Sequence, residues 1–446
     1  MECGDRARTA KDAQAVPKTA ADERTPHVSS TSRTTEPRRV VPRPAEGVWP
    51  NLQDPGENWL RMRVARALVR AAVRRLPLHL VWPDGSVEGD PRGPELRLIR
   101  PEAFFTRLGR QGLIGFGEGW MVGDWDSDDL VGVLRCLTDH VEQLVPRPLR
   151  NLRRVYDRGQ PYEEVAADAT VSRENVHRHY DLSNDLFSLF LDESMMYSAA
   201  WFDPARPAES LTDAQHRKVD GVLDLAGVRA GSRVLEIGTG WGEAAIRAAQ
   251  RGARVTTLTL SVEQAGLARV RAEQAGVSDR ITIDVRDYRE AAGEYDSVIS
   301  IEMIEAVGER FWPDYFATVD RLLAPGGRFG LQSITMPDHR LQATKDNYTW
   351  IHKYIFPGGL IPSLEAIDAT LAGHTSMEVV ERRSIGLDYA ETLRRWRATF
   401  LAREPEVRAI GFDETFVRMW DFYLAYSEAG FAARYLDDFQ LGIARR

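Results

Sequence analysis

Apolar and polar positions alternate along the second half of the chain in a pattern typical of an α/β fold. Short apolar runs that fit buried strands lie at 234–237, 254–260, 281–285, 296–301 and 327–334. Helix-length segments separate these runs, and strands that alternate with helices form parallel sheets covered on both faces. The pattern therefore predicts an α/β fold with a parallel sheet between two layers of helices.

The first part of the chain follows other patterns. Residues 1–50 are rich in charged, Ser, Thr and Pro residues and poor in large apolar ones, which predicts a disordered tail. From Trp59 to Leu76 the periodicity indicates an amphipathic basic helix. Its apolar side contains Leu60, Val64, Leu68 and Ala71, and its basic side contains Arg63, Arg66, Arg70 and Arg74. The helix either covers a small core or docks on anionic lipid head groups, and the sequence leaves both open.

A small α+β domain is predicted to follow this helix. Short strands are expected at Leu78–Trp82 and Leu96–Ile99, and a helix over 102–120 that is interrupted at Gly115 and Gly117. The segment is about as long as an ordinary domain. We therefore predict a lipid-associated or membrane-associated domain at 55–157, a polar linker at 158–172 and a catalytic domain at 173–446.

The composition excludes several classes of protein. The chain has 446 residues, 43% of them hydrophobic, and a formal net charge of −8. It contains no apolar run of about 20 residues that could span a bilayer, so a cytoplasmic protein is expected. Cys3 and Cys136 lie outside every motif, which argues against disulfides and a metal site. No nucleic-acid partner is expected.

A glycine-rich turn is the first candidate for chemistry. The apolar run Val234–Ile237 leads into Gly238, Gly240 and Gly242, and a small-residue helix follows. Glycine lets the main chain approach a nucleotide-like ligand closely at the end of a first parallel strand. The next predicted strand ends in Thr259-Leu260-Ser261, where nicotinamide enzymes usually have an acid. The turn therefore favours S-adenosylmethionine (SAM) over NAD.

A dense group of aromatic and polar residues precedes the sheet. It comprises His179–Asp185 and Met195–Phe202, which suit a lid over the cofactor. The alternative is a capping helix whose Tyr and His side chains form only local hydrogen bonds.

Several motifs resemble, in the same order, the cyclopropane-fatty-acyl-phospholipid synthase family, which includes the mycolic acid cyclopropane synthases. They are HYDLSNDLFSLFLDESMMYS, VLEIGTGWGE, TLTLSVEQ, SIEMIEAVG, LQSIT, IHKYIFPGGLIPS, LDYAETLRRW and MWDFYLAYSEAGF. They span residues 170–446. The resemblance implies a Rossmann-like SAM-dependent methyltransferase fold with a mostly parallel, seven-stranded sheet.

The resemblance also implies the reaction and the cofactor contacts. The SAM methyl group would pass to a cis double bond of a fatty acyl chain through a carbocation. Such a site must be dry and must hold the reactants in line, because an alkene is a weak nucleophile. The positions that match SAM contacts are Tyr197, Ser198, Glu236, Gly238, Thr239, Gly240, Trp241, Gly242, Thr259, Leu260, Ser261, Gln264, Asp287 and Tyr288.

In the family, a bound bicarbonate ion takes up the proton that leaves the carbocation. The resemblance places Glu305, Ile334 and Tyr389 around that ion. Two further positions depart from the family, because Gln332 stands where many members have His and Ala199 where many have Cys. Gln can donate a hydrogen bond to an oxyanion but cannot become positively charged, so use of bicarbonate is open. Ser427 replaces another Cys of the family.

The motif within 97–134, together with VLEIGTGWGE, LQSIT and YLAYSEAGF, resembles an actinobacterial branch of the family. That branch includes enzymes that methylate oleoyl chains at carbon 10, on the way to 10-methylstearate (tuberculostearate). Resemblance to this branch favours a methylene product, which a separate reductase would reduce to the methyl branch. Cyclopropane formation is the alternative. A SAM methyltransferase for small molecules and a non-catalytic lipid carrier are the alternatives from other classes. We expect phospholipid acyl chains as substrate, peripheral binding at the inner face of the membrane, and a homodimer.

Overall fold

The structure, a computed structural model, describes residues 49, 52, 58–141 and 184–446. All of them belong to one compact unit, Val41–Arg446. Nearly all of the tail predicted at 1–50, the linker predicted at 158–172 and residues 173–183 lie outside the described residues. Within the described part, no helix combines the length and apolarity needed to cross a bilayer.

The first described part contains a small four-stranded sheet and four helices. The sheet has the order β2-β1-β3-β4, in which β1 is parallel to β3 and the other pairs are antiparallel. Its strands are β1 (His79–Val81), β2 (Val87–Gly89), β3 (Glu95–Leu98) and β4 (Trp125–Asp126). The helices are α1 (Trp59–Val73), α2 (Pro101–Gln111), α3 (Leu113–Met121) and α4 (Leu130–Asp139). Both predicted strands are present, each within one residue of its expected bounds.

The predicted interruption of the helix at Gly115 and Gly117 is wrong. The chain breaks between α2 and α3 at Gly112, whose φ is 57°, and the other two glycines lie inside α3. A Cβ on Gly115 would lie 2.2 Å from the carbonyl oxygen of Arg107, and one on Gly117 would lie 2.6 Å from the Trp350 ring. These two glycines therefore permit close packing, which periodicity alone does not distinguish from a helix break.

Helix α1 buries a face other than the predicted apolar one. Ala65 and Val73 are buried and Met62 and Val69 half-buried. In the predicted apolar row, Leu60, Val64 and Leu68 are exposed and only Ala71 is half-buried. In that row Leu60 is 59% and Val64 52% exposed. Three of the four basic residues make contacts within the domain. Arg70 is paired with Glu88 at 2.7 Å, and the guanidinium groups of Arg66 and Arg63 lie 4.7 and 5.9 Å from the centroids of the Trp82 and Trp59 rings.

The second described part is built around a seven-stranded sheet of order β10-β11-β9-β8-β5-β6-β7. Strands β5 to β9 are mutually parallel, whereas β11 runs antiparallel to β9 and β10. The strands are β5 (Arg233–Ile237), β6 (Arg254–Thr259), β7 (Ile281–Val285), β8 (Tyr295–Ile301), β9 (Leu323–Thr335), β10 (Met377–Ser384) and β11 (Asp437–Arg445). The five predicted strands and the expected seven-stranded sheet are present.

Helices cover the sheet and extend beyond its carboxyl edge. In chain order, the first five are α5 (Asn184–Phe190), α6 (Leu211–Leu225), α7 (Glu243–Gln250), α8 (Val262–Gln274) and α9 (Trp312–Leu322). They are followed by α10 (Asp338–Thr344), α11 (Trp350–Tyr354), α12 (Leu364–His374), α13 (Gly386–Ala402), α14 (Glu404–Ala409) and α15 (Glu414–Ala432). Ser210 and Ser261 begin α6 and α8 as N-caps, each accepting a backbone N–H three residues ahead.

One aromatic core joins the small sheet to the helices at the edge of the large one. Helix α15 lies at its centre, where Trp420 is fully buried and packs beside Phe187 and Phe190 of α5. The Trp120 indole N–H donates to the Arg418 carbonyl at 3.1 Å, and Arg418 Nε donates to the Trp120 carbonyl at 2.6 Å. The first described part is thus packed against the helices that surround the candidate site.

Candidate active site

The glycine turn after β5 is held by its neighbouring strand. The N–H groups of Gly238 and Thr239 both donate to the Leu258 carbonyl at 3.0 Å, and the Thr239 and Thr257 hydroxyls are hydrogen-bonded at 2.7 Å. Gly238, Gly240 and Gly242 have φ values of 100°, 50° and 91°, which favour glycine. A Cβ on Gly240 would meet no protein atom within 4 Å. The turn therefore exposes main chain to a ligand at the carboxyl edge of the sheet.

Neutral polar groups follow the end of β6. The Thr259 hydroxyl donates to Gln264 Oε1 at 3.0 Å and accepts the Ser261 N–H at 3.1 Å. Leu260 between them is half-buried. The absence of an acid at 259–261 agrees with the expectation of SAM.

Two predicted cofactor contacts follow β7. Asp287 accepts hydrogen bonds from Arg289 Nε at 2.9 Å and Nη2 at 2.6 Å. The Tyr288 ring packs edge-on against Tyr315, with the ring centroids 5.5 Å apart, and burial raises the pKa of its phenol. Tyr288 therefore presents a neutral ring beside a carboxylate that Arg289 balances.

Glu236 is a buried acid directly before the glycine turn. Burial raises the pKa of its carboxyl to about 8, although a hydrogen bond with Thr257 acts against the shift. Its Oε2 has no hydrogen-bond partner among the described residues. A ligand that carries positive charge or donates a hydrogen bond would stabilise the ionised form.

The segment Met195–Phe202 connects the site to the C-terminal helices. The Tyr197 and Tyr423 hydroxyls are hydrogen-bonded at 2.8 Å, and the Tyr197 ring lies 5.5 Å from that of Trp396. Ser198 Oγ accepts a short hydrogen bond from Lys218 Nζ. In the preceding helix α5, Asn184 Oδ1 accepts the Trp241 indole N–H at 2.8 Å, which ties α5 to the glycine turn. Residues 179–183 of the predicted lid lie outside the described residues.

A carboxylate that the sequence analysis did not select lies at the centre of the site. Glu302 directly follows β8, and its Oε1 accepts the Ala199 N–H at 2.8 Å and Gln332 Nε2–H at 2.9 Å. The Tyr389 hydroxyl donates to its Oε2 at 2.8 Å. Burial raises the pKa of Glu302, and the positive charge of Lys218 acts against this shift.

A second buried carboxylate, Glu305, lies near the first. Its Oε1 accepts the Ile334 N–H at 2.6 Å and the Ser333 hydroxyl at 3.0 Å. Its Oε2 has no hydrogen-bond partner in the described part of the chain. Burial first, and then the negative charge of Glu302, raise the pKa of Glu305 to about 8. The site thus combines two acids, one fully hydrogen-bonded and one with a free oxygen.

Comparison with known proteins identifies the family. Residues 167–441 match the family model described as mycolic acid cyclopropane synthetase. The chain belongs to this family. It is 51% identical over 390 residues to the tuberculostearic acid methyltransferase of Mycobacterium tuberculosis, covering 86% of this chain and 91% of the relative. It is 34% identical over 394 residues to the cyclopropane-fatty-acyl-phospholipid synthase of Escherichia coli strain K12, covering 88% and 94%.

Solved structures of the mycolic acid cyclopropane synthetase family share this fold. The cyclopropane synthase MmaA2 from Mycobacterium tuberculosis superposes with a TM-score of 0.57 at 30% identity, over 61% of this chain and 98% of that one. The mycolic acid cyclopropane synthase CmaA1 complexed with SAH and CTAB gives a TM-score of 0.56 at 28% identity, over 61% and 97%. The predicted family, fold class and enzyme class, a SAM-dependent fatty acyl methyltransferase, are confirmed.

In this member of the synthetase family, the predicted acceptor-site residues divide into two groups. Ala199, Gln332 and Tyr389 converge on Glu302, whereas Ile334 converges on Glu305. Ser427 is half-buried on α15, and among the described residues it makes no hydrogen bond to either carboxylate. The resemblance had placed Tyr389 and Glu305 around one ion, but the structure gives Tyr389 a different carboxylate.

Three buried residues of this site escaped sequence reasoning. They are Glu302, Lys218 and Asp438. Gln332 Nε2 also donates to Asp438 Oδ2 at 2.8 Å, and burial followed by the charge of Glu302 raises the pKa of Asp438 well above its usual value. Burial lowers the pKa of Lys218 to about 8. The sequence did contain a sign that Lys218 is buried. It lies four residues from both Ala214 and Val222, on the apolar face of α6.

Proposed function

We propose that this protein transfers the SAM methyl group to the cis double bond of oleoyl chains in phospholipids and forms a 10-methylene product. The observation that carries the proposal is the 51% identity, over 86% of the chain, to a relative named as a tuberculostearic acid methyltransferase. The site supports it, since it combines a glycine turn for a cofactor with buried acids for a proton. A separate reductase would convert the methylene product to a methyl branch.

The residues present fit SAM. Gly240 presents open main chain, Thr259 and Ser261 are neutral, and Glu236 provides a buried acid before the turn. Asp287 and Tyr288 would lie beside the adenine, and Tyr197, Ser198, Trp241 and Gln264 would complete the contacts. When bound, SAM supplies an electrophilic methyl group on a cationic sulfur. A related structure that contains SAH supports this choice of cofactor.

The acyl chain would lie against a cluster of aromatic side chains that excludes water. The rings of Tyr389 and Phe431 lie 4.4 Å apart, and Tyr389 also packs edge-on against Trp396 at 6.1 Å. A dry, positioned site is what attack by a weak alkene nucleophile requires. The resemblance implies bicarbonate as the proton acceptor, with Glu305 as one of its ligands, and this stays an untested prediction. Among the described residues Glu305 Oε2 has no hydrogen-bond partner, so it could contact a ligand that enters the site.

Cyclopropane formation is the second candidate. It is favoured by the 34% identity to the cyclopropane-fatty-acyl-phospholipid synthase of Escherichia coli. Both reactions share the methyl transfer and the carbocation. They differ in whether a hydride shift precedes loss of the proton from the added methyl group, which depends on where the proton acceptor lies.

The outward face of α1 supports a docking role at the membrane surface. It presents Leu60 and Val64 to solvent, with Arg63 and Arg74 exposed on one side of this apolar row. A helix that combines exposed apolar residues with arginines is typical of segments that lie in the interface of an anionic membrane. Peripheral binding at the inner face of the membrane through a domain at 55–157 is therefore part of the proposal. A homodimer stays a prediction.

The product can be determined directly. The purified protein would be incubated with methyl-labelled SAM and vesicles of dioleoyl phosphatidylglycerol, and the fatty acid methyl esters analysed by mass spectrometry. Methylene and cyclopropane products have the same mass, so mild hydrogenation separates them: only the methylene product takes up hydrogen. A labelled ester that resists hydrogenation would favour the cyclopropane, and absence of label from the acyl chains would contradict both reactions.

A further inference from the structure

The backbone at Glu302 has a conformation that glutamate rarely adopts. Its φ is 49°, in the left-handed region. Such a conformation persists only where the surrounding structure holds it, and these residues cluster at functional sites. Glu302 directly follows β8, at the edge of the sheet where α/β active sites form. The fold therefore maintains a strained residue in order to place this side chain.

Three elements orient the Glu302 carboxylate. The donors are the Ala199 N–H in the segment before α6, Gln332 Nε2 on β9 and the Tyr389 hydroxyl on α13, at 2.8, 2.9 and 2.8 Å. These are three of the five positions at which the family resemblance places contacts to a bicarbonate ion. Here all three contact the Glu302 side chain. A carboxylate of this chain thus occupies the hydrogen-bonding position expected of a free oxyanion.

The surrounding charges favour a carboxylate at this point. Lys218 is fully buried, and its charge favours the ionised form of Glu302. The other acids near Glu302 are Asp438 and Glu305. Burial first, and then the charge of Glu302, raise the pKa of each of these two carboxyl groups. The cation of Lys218 can balance one anion only. The three hydrogen-bond donors and the Lys218 cation together favour Glu302 as the ionised carboxyl group.

We propose that the Glu302 carboxylate is the proton acceptor of the reaction and takes the place of bicarbonate. This inference rests on the proposed function. In the step, a hydride shift first moves the cation to the carbon that carries the added methyl group. A C–H bond of that methyl group then breaks, its electron pair forms the exocyclic double bond and neutralises the carbocation, and the proton passes to a Glu302 oxygen. That proton leaves to water after the product departs. The neighbouring free oxygen of Glu305 has a separate role, in contacting the ligand that enters the site.

The test compares four proteins in buffer depleted of carbon dioxide, with and without added bicarbonate or formate. They are the parent, Glu302→Gln, Glu302→Gly and the control Glu365→Gln, which changes an exposed glutamate at the start of α12. Methyl transfer to dioleoyl vesicles, SAM affinity by calorimetry and thermal unfolding are measured for each. Glycine is chosen because it adopts a φ of 49° without strain.

We expect the parent and the control to be equally active with and without bicarbonate. Glu302→Gln should lower turnover by about 10² or more, the scale of general-base contributions, with SAM affinity unchanged. Glu302→Gly should be inactive alone and regain activity when bicarbonate or formate is added. A purely structural role of Glu302 would not produce this rescue.

Three results would overturn the inference. They are a parent that requires bicarbonate, a Glu302→Gln variant with normal turnover, and a folded Glu302→Gly variant that binds SAM but is not rescued by either anion. Failure of the proposed methyl transfer itself would give a different result. The parent would then transfer no label to the acyl chains in any buffer, and both proposals would be rejected.

Discussion

Gly240 is the residue at which cofactor binding can be tested most cleanly. Its φ is 50°, and a Cβ there would meet no protein atom within 4 Å. We expect Gly240→Val to abolish SAM binding, because the added side chain would stand where the ligand approaches the main chain. The strained backbone should also lower the free energy of unfolding by about 1–3 kcal/mol. Calorimetric titration with SAM measures the first effect.

Gly276→Val provides the matched control for this prediction. Gly276 has a φ of 67°, also meets no protein atom within 4 Å, and lies between α8 and β7 at the opposite edge of the sheet. It should suffer a similar loss of stability and keep normal SAM affinity. If both variants bind SAM like the parent, the cofactor does not lie on the glycine turn.

At the level of residues, the sequence predicted individual motifs better than the contacts between them. Gln332, Ala199 and Tyr389 were selected by resemblance, and all three lie in the site. Glu302 was overlooked although it belongs to the same motif as Glu305. Its role depends on hydrogen bonds to residues 30 to 103 positions away in the chain. Spacing within a motif carries no information on such contacts.

Helix α1 shows why periodicity locates an element without orienting it. The helix was predicted at Trp59–Leu76 and extends over Trp59–Val73. It has two apolar rows, one through Leu60 and Val64 and another through Ala65 and Val69. The second row is buried on α2, where Gly109 allows the backbones to approach: a Cβ there would lie 2.7 Å from the Arg61 carbonyl oxygen. Only the partner helix decides which row becomes core.

The outward row of α1 yields a prediction on lipid binding. We expect Arg63→Gln/Arg74→Gln to weaken binding to anionic vesicles by about 2 kcal/mol at low salt, since each arginine near such a surface contributes about 1 kcal/mol. This loss should disappear at high salt, where the charges are screened. Leu60→Ser/Val64→Ser should weaken binding at both salt concentrations, because burial of apolar side chains is not screened. Vesicle co-sedimentation measures both.

The control for the docking experiment is Arg229→Gln/Arg254→Gln. These arginines are exposed on the large sheet's amino edge, before β5 and at the start of β6. The control should sediment like the parent. If the α1 variants also sediment like the parent, docking uses another surface.

At the scale of the whole molecule, buried acids make stability depend on pH. Burial raises the pKa of Glu236 and of Glu305 from 4.5 to about 8. A carboxyl group with a raised pKa in the folded state binds its proton more tightly there, so its stabilising effect is complete below pH 4.5 and is lost as the pH rises to 8. We therefore expect the unfolding free energy of the ligand-free protein to fall by several kcal/mol between pH 5 and 8.

Urea unfolding at pH 5.5, 6.5 and 7.5 measures this dependence. The lowered pKa of Lys218, about 8, does not alter the sign in that window, because the lysine stays charged in both states below pH 8. Glu305→Gln should flatten the curve, since it removes one of the titrating groups. A stability that stays constant or rises over the window would contradict the protonation states described for the site.

Sequence patterns predicted only the parallel strands of the large sheet. Five strands were predicted from their short apolar runs. Four of them, β5, β6, β8 and β9, are mostly buried, whereas β7 lies at the edge of the sheet and has only half-buried or exposed residues. The sequence patterns did not identify strands β10 and β11. Strand β10 has mostly exposed or half-buried side chains, and β11 places the polar residues Asp438 and Gln440 in the interior. The seven-stranded sheet was expected from resemblance alone.

The position of β11 has a consequence for how the protein is made. This strand, Asp437–Arg445, inserts between β9 and β10, so a strand synthesised after both of them occupies the interior of the sheet. Until the ribosome has passed residue 440, β9 lacks its neighbour, and Gln332 lacks both Asp438 and Gln440. A nascent chain therefore carries an unpaired strand edge from the synthesis of β9 to that of β11, and such an edge is the kind of surface that chaperones protect from aggregation.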